Sequence, residues 1–263
     1  MTEPTDFVAA WNDWHESRVR ATTSPLGLAS LVATHWLTTE PAAYQGLPGV
    51  WHASGGSILG TAPELHDKTM LQDGRPYDTV SGAEIVLEAG QDIEWGDKRI
   101  RYFERDGALA LRLIDPDAAT RSSLTDIDAF EPDPAWVLKG RFTPAEPDAT
   151  RTVEAIDGHV SEDAVAGTVD VDLPGGEHAT LTVSADPRGL AVVLSDGTSG
   201  DETYRFRFLT IASPADDGTV TVDFNRLYLP PCAFADFYVC PLPPAGNRLA
   251  TPIRAGEKNV VRA

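Results

Sequence analysis

"TYRFRFLTIASPADDGTVTVDFN", residues 203–225, is the stretch on which the fold turns. Two runs of alternating apolar and polar residues flank Ser213–Gly218, where Asp217-Gly218 supplies turn chemistry. The pattern predicts two antiparallel strands joined as a hairpin, because a period of two cannot present one face of a helix. Phe206 and Phe208 occupy even positions, as do Val220, Val222 and Phe224. Burying these together would gather Arg205, Arg207, Thr221, Asp223 and Asn225 on the opposite face, with Arg207 almost across from Asp223.

The same signals recur along the chain. Short apolar or alternating runs bounded by Gly, Pro and Asp-Gly predict strands near Leu28–Val32, Gly49–His52, Glu84–Glu88, Ile100–Glu104, Ala108–Ile114 and Trp136–Phe142. Further runs predict Thr152–Ile156, Ala164–Val171, Ala179–Ser184, Ala191–Leu194, Thr203–Ile211 and Thr219–Phe224. Strands at this density, with few helical windows between them, argue for sandwich or barrel architecture. One helix is expected, from about Asp6 to Arg20, capped by Thr5, with Phe7, Val8, Trp11 and Trp14 as its apolar stripe. It reads as a lid packed on a sheet, with a partner-binding helix as the alternative.

Asp115–Trp136, "DPDAATRSSLTDIDAFEPDPAW", is polar and punctuated by proline, so it is the expected boundary between lobes. The expected fold is mainly β: two β-rich lobes of sandwich or barrel type, an N-terminal amphipathic helix and an irregular proline-rich C-terminal strap. The corresponding segments are 1–24 for the helix, 25–131 for the first lobe and 132–263 for the second.

A chain of 263 residues can bury roughly 70 to 75% of its unfolded surface, enough to fold without disulfides or metal. A net charge of −19, from 40 acidic and 21 basic side chains, argues against tracking nucleic acid or anionic membranes, since both need basic patches. No run approaches the roughly 18 apolar residues of a membrane span. The N-terminal residues lack the basic, apolar and small-residue order of a signal peptide, so a cytoplasmic location is expected.

Several chemical signatures are absent from the sequence: no G-x-G-x-x-G, no G-x-x-x-x-G-K-[ST], no G-x-S-x-G and no H-E-x-x-H. "DVDLPG" at Asp170 resembles the start of a calcium loop, but Pro174 stands at a ligand position and Leu181 where the bidentate glutamate belongs. The six histidines are scattered, so no metal site and no fixed cofactor are expected.

The richest segment is "DFNRLYLPPCAFADFYVCPLPPAGNRL", Asp223–Leu249, with two cysteines and five prolines. Cys232 and Cys240 lack the C-x-x-C partners that zinc sites require. In a reducing compartment they are expected to be buried packing thiols, with a disulfide or a reactive thiol as alternatives. From Thr219 onward there are five basic and three acidic residues, whereas the rest of the chain is strongly acidic. Arg226 and Arg248 could form forked ion pairs with carboxylates such as Asp223 and Glu257. Alternatively, the arginines, Asn225, Tyr228 and Asn247 could line a pocket for a small polar or anionic ligand.

"DFNRLYLPPCAF" (223–234), "CPLPPAGNRL" (240–249) and "IRAGEK" (253–258) resemble the signature of the prokaryotic family catalogued as domain of unknown function 1684. Weaker echoes run back through "LSDGTSGDETYRFRFL", "DPAWVLKGRF" and "RYFERDGALALRLID" to "SPLGLASLVATHWL". The resemblance implies mainly β structure and brings no assigned activity. It also implies a forkhead-associated-like sandwich in the first lobe. The chain departs there, reading "GGSILGTAPELHDKTML", and has no Arg or Lys from Ala21 to Asp67 to hold a phosphothreonine. The motif positions that match are Asp223, Asn225, Arg226, Tyr228, Cys232, Cys240, Asn247, Arg248 and Glu257, with Asp196, Thr203 and Tyr204 upstream.

Three functions remain open on sequence. The first is binding of a small polar or anionic molecule by Arg207, Asp223, Asn225, Arg226, Tyr228, Asn247, Arg248 and Glu257, with Asp196, Thr203, Tyr204, Cys232 and Cys240 behind them. The second is a hydrolase using Cys232 or Asp223. The third is a structural or interaction module, in which the strap welds strands together.

Overall fold

The structure, a computed structural model, describes residues 4–82 and 84–263. Strands hold 46% of the chain and helices 16%, which makes it mainly β. The chain divides into two units. The first comprises Ala21–Leu124 and Phe234–Tyr238. The second comprises the N-terminal helix up to Arg20, Thr125–Ala233 and Val239–Ala263.

In the first unit the strands are β1 (Leu31–Trp36), β2 (Val50–Ser54), β3 (Ser57–Thr61), β4 (Thr69–Gln72), β5 (Arg75–Thr79), β6 (Ile85–Leu87), β7 (Gln91–Trp95), β8 (Lys98–Arg105) and β9 (Ala108–Ile114). They form a six-stranded sheet, β1-β9-β8-β7-β4-β5, and a three-stranded sheet, β2-β3-β6. Asp106 and Gly107 join β8 to β9 with φ of 50° and 80°, the left-handed pair that a two-residue hairpin turn demands. That turn sets the register, so Ile100, Tyr102, Leu109, Leu111 and Leu113 all point inward. There they meet Trp51, Ile58, Ile85 and Leu87 of the smaller sheet in one core. The result is a sandwich.

The second unit contains β10 (Leu124–Ala129), β11 (Val137–Pro144), β12 (Thr150–Glu154), β13 (Val160–Ala164), β14 (Gly167–Asp172), β15 (His178–Asp186), β16 (Gly189–Leu194), β17 (Arg207–Ala212), β18 (Thr219–Asp223) and β19 (Glu257–Arg262). Its main sheet runs β17-β16-β15-β14-β11-β18, with β10-β19 and β12-β13 as separate pairs. The expected hairpin of residues 203–225 is therefore overturned. β17 pairs with β16 and β18 pairs with β11, at opposite ends of the same sheet.

In a flat six-stranded sheet those ends would stand about 24 Å apart. The connecting loop of residues 213–218 contains a turn closed by the Gly218 N–H to Ala215 carbonyl bond at 2.8 Å, so it is too short to reach that far. The sheet must curl, and this is the half-barrel of the fold.

The parity of β17 is also inverted. Arg207, Leu209 and Ile211 face the core, while Phe208 is half-buried on the other side. Leu209 and Ile211 pair with Val192 and Leu190 across the ladder, and their joint burial outweighs that of a single phenylalanine. Only β18 keeps the expected phase, with Val220 and Val222 inward.

The hollow of the curled sheet is filled by the strap. Phe224, Leu227, Leu249, Ile253 and Ala255 join Val169, Leu181, Val183 and Val192 in one cluster. Each large aliphatic or aromatic side chain buried this way contributes about 1.5–3 kcal/mol.

Along the chain the first unit gives way to the second after Leu124, whereas the sequence reading places the boundary at 131/132. The acidic segment after Leu124 conceals β10, which pairs with β19 and buries Leu124 and Ile127. The helix α1 spans Pro4–Thr23, so Thr5 lies within it rather than ahead of it, and the Thr5 side chain is outside the described residues. Trp11 is buried and Phe7 and Trp14 are half-buried, but Val8 is 41% exposed, so the expected stripe holds only in part. Among the described residues, no helix is long and apolar enough to cross a membrane.

Candidate functional site

Prolines 230, 231, 241, 243 and 244 prevent the strap from continuing as strand or helix. It advances through 3-10 turns at Phe224–Arg226, Pro231–Ala233 and Ala245–Asn247. Irregular backbone leaves N–H and C=O groups without ladder partners, and buried ones must be satisfied by side chains. The polar residues of the strap meet that demand.

Asp223 caps the first turn, its Oδ1 accepting from the Asn225 backbone N–H at 3.0 Å and from Asn225 Nδ2 at 2.9 Å. Asn225, fully buried, exchanges two hydrogen bonds with the Asp133 backbone, and its own carbonyl accepts from Trp11 Nε1 at 2.8 Å. Asn247 behaves alike: Oδ1 accepts from the Thr182 N–H at 2.8 Å, and Nδ2 donates to the carbonyls of Thr182 and Val193 at 2.9 Å. Each amide acts as a short piece of backbone, Asn247 beside β15 and β16 and Asn225 beside the irregular residue Asp133.

Arg207 lies at the centre of a second network. Its guanidinium donates to Asp196 Oδ2 at 2.7 Å and to the carbonyls of Ile253, Ala255 and Glu257 at 2.9, 2.6 and 3.1 Å. Asp196 Oδ1 accepts from the N–H and hydroxyl of Thr198 and from the Ile253 N–H at 3.0 Å. Thr203 meets the Thr198 hydroxyl at 3.0 Å. Both charged side chains are fully buried. Burial holds the Arg207 guanidinium below its ordinary pKa, with Asp196 opposing that shift. Its Nε is buried without a hydrogen-bond partner.

Glu257, also fully buried, is the partner of neither Arg226 nor Arg248. It accepts from Arg18 of α1 at 2.8 and 3.0 Å and from the Leu229 N–H at 2.7 Å. Arg226 donates to the Ala10 carbonyl at 3.1 Å, lies 3.6 Å from Asp223 and stacks over Trp14. Arg248 is exposed and donates to the Pro243 carbonyl at 3.2 Å. Tyr228 is half-buried, edge-on to Phe208 and beneath the Arg18 guanidinium. Tyr204 donates to the Cys232 carbonyl at 3.2 Å and faces its sulfur at 3.6 Å.

The eight leading candidates therefore do not converge. Arg207 meets Asp196 and the Thr198–Thr203 pair; Asn225 meets Asp223; Asn247 lies against β15 and β16; Arg248 faces solvent. Trp11, Arg18, Asp133, Glu177 and Thr182 were not among the expected site residues. Trp11 and Arg18, two helical turns apart on one face of α1, carried the one signal available. Among the described residues, no group of three or more His, Cys, Asp or Glu is placed to hold a metal ion.

The first unit carries a concavity of about 460 Å³ lined by Thr39, His52, Ser54, Gly55, Gly56 and Gly107. It lies at the tips of two hairpins, β2–β3 and β8–β9. Gly55 and Gly56 adopt φ of 58° and 89°, with open space where side chains would be.

A family model described as "Protein of unknown function (DUF1684)" matches residues 122–258. The solution NMR structure of an uncharacterized protein from the Haloarcula marismortui locus rrnAC0354 is 30% identical, covers 51% of this chain and 76% of its own, and has a TM-score of 0.41. No curated protein matches the chain.

Proposed function

Since the chain belongs to the DUF1684 family of proteins of unknown function, we propose that the family signature is a structural strap and that the protein works as a binding module, with no hydrolysis run by the signature residues. One observation carries this reading: the Arg207 guanidinium is fully buried and bonded to Asp196 and three carbonyls. An arginine so engaged has no free face for an anionic ligand. Asp223 is occupied in capping, and the groups that meet the Cys232 side chain are Tyr204 and Cys240 rather than a base. Hydrolysis through either residue therefore lacks the paired base that activation requires.

A small polar molecule is better accommodated in the concavity of the first unit than against the strap. At about 460 Å³ it falls within the range of ligand sites, and it combines the His52 imidazole and the hydroxyls of Thr39 and Ser54 with unobstructed glycine backbone. The test is a thermal-shift screen of the full chain against small polar and anionic compounds, with hits measured on His52→Ala and Arg248→Ala. A compound that stabilises the wild type and Arg248→Ala but not His52→Ala supports the reading. A hit lost in Arg248→Ala alone, or one converted to product by the wild type, overturns it.

A further inference from the structure

Cys232 and Cys240 are built against each other. Both are free thiols and both are buried. The Cys232 backbone N–H donates to the Cys240 sulfur at 3.3 Å, which puts that sulfur within about 5 Å of the Cys232 Cα. The Tyr204 hydroxyl lies 3.6 Å from the Cys232 sulfur. Packing sulfurs in an apolar core would need no N–H and O–H groups directed at them.

From this geometry we propose that Cys232 and Cys240 form a peroxide-oxidisable dithiol, with Cys232 the attacking thiol and Cys240 the resolving one. The hydrogen bond from Cys240, then those from Tyr204 and the charge of Arg205, hold the Cys232 thiol below its ordinary pKa against the opposing effect of burial. Tyr204 itself is pushed up to about 12, mainly by burial and then by Cys232, so it remains a donor at neutral pH. Hydrogen peroxide is the oxidant, small enough to reach sulfurs on residues 6% and 5% exposed.

In the first step the Cys232 thiolate attacks one peroxide oxygen, the O–O bond breaks, and hydroxide leaves to take up the thiol's proton as water. Cys232 is then a sulfenic acid. In the second, the Cys240 sulfur attacks the Cys232 sulfur, the S–O bond breaks, and the hydroxyl departs with the Cys240 proton as a second water. Two thiols and one peroxide become one disulfide and two waters. Neither step needs the general base that hydrolysis would demand.

The ring so closed contains Phe234–Tyr238, a segment of the first unit, where Ala235 packs with Leu31 and Ile114 and the Phe237 carbonyl accepts from Thr34 at 2.8 Å. Oxidation would tether this segment at both ends.

The test treats the folded full chain with hydrogen peroxide at neutral pH, blocks remaining thiols with iodoacetamide and maps peptides without reduction. The expected product is monomeric, resists alkylation at both positions, has lost two hydrogens and is restored by dithiothreitol. In Cys240→Ser, dimedone should trap sulfenic acid on Cys232, forming at least about tenfold faster than oxidation of Cys240 in Cys232→Ser. Full alkylation of both cysteines, at peroxide levels that oxidise the urea-unfolded chain, overturns the proposal, as does a purely intermolecular disulfide. Faster oxidation of Cys240 than of Cys232 overturns the assignment of roles. The wild-type result stands alone if either variant fails to fold.

Discussion

Arg207 and Asp196 meet at 2.7 Å with neither side chain exposed to solvent. Removing two charges from water costs several kcal/mol each, and their attraction repays this only when the remaining donors and acceptors also find partners. Here all but the Arg207 Nε do, and most of the partners are backbone groups of Ile253, Ala255 and Glu257. Arg207→Met leaves a buried carboxylate and three carbonyls unpaired, so a loss of about 3–5 kcal/mol is expected. Asp196→Leu should cost a similar amount, and the double variant clearly less than the sum of the two. Urea midpoints at unchanged m-value measure all three.

Asn247 and Arg248 are adjacent in sequence and opposite in consequence. Asn247→Ala removes three buried hydrogen bonds and orphans the Thr182 and Val193 backbone groups, which should cost about 2–4 kcal/mol. Arg248→Ala removes one bond from an exposed side chain and should fall within about 0.5 kcal/mol of wild type. Equal losses in denaturant unfolding would contradict the strap reading.

The strand class of the fold was legible because period two is a local signal, and the runs Ile100–Glu104 and Ala108–Ile114 fall within β8 and β9. The neighbour of β17 was not legible. Residues 203–225 satisfy every local rule for a hairpin, and only the insertion of β16, β15, β14 and β11 between them in the sheet separates the two strands. Parity failed for a related reason: alternation leaves two faces to choose from, and Leu209 with Ile211 outweighs Phe208 only once the facing strand is known. The motif stretches marked out Asn225, Asn247 and Glu257 as candidates. Their chemistry was not legible, since their main partners, Asp133, Thr182 and Arg18, lie 65 to 239 residues away.

The glycine of "AGEK" is fixed by both backbone and space. Gly256 has φ +77°, and a Cβ there would stand 2.6 Å from the Leu227 Cβ and carbonyl oxygen. The conformation alone costs an ordinary residue about 1–2 kcal/mol, and the overlap adds about 1–3 kcal/mol. Gly200 has φ +84° with nothing within 4 Å, so Gly200→Ala isolates the first cost. Gly256→Ala should therefore lower the thermal midpoint by roughly twice as much as Gly200→Ala or more; equal shifts would show that the Leu227 contact yields freely.

Glu177 ties the strap down through a charged acceptor, and the pH dependence has a definite sign. The Thr251 side chain, against the opposing effect of burial and with help from the backbone N–H groups of Thr251 and Ala250 at 2.7 and 3.3 Å, holds its carboxyl below the ordinary carboxylate value. A folded-state pKa below the unfolded one means that the unfolded chain binds the proton more readily. The contribution is complete above the unfolded value of about 4.3 and is lost as pH falls through the folded value. Because the group is partly exposed, Glu177→Gln should cost only about 1 kcal/mol at neutral pH. Other acidic groups held low, Asp115, Asp186, Glu202 and Asp217, titrate alike in both proteins and cancel in the difference. Urea midpoints of wild type and Glu177→Gln should thus draw together once pH falls below the unfolded value of about 4.3 and meet as it falls through the lower folded value. A gap that stays constant across that range would mean that the carboxylate's charge contributes nothing to holding Ala250 and Thr251.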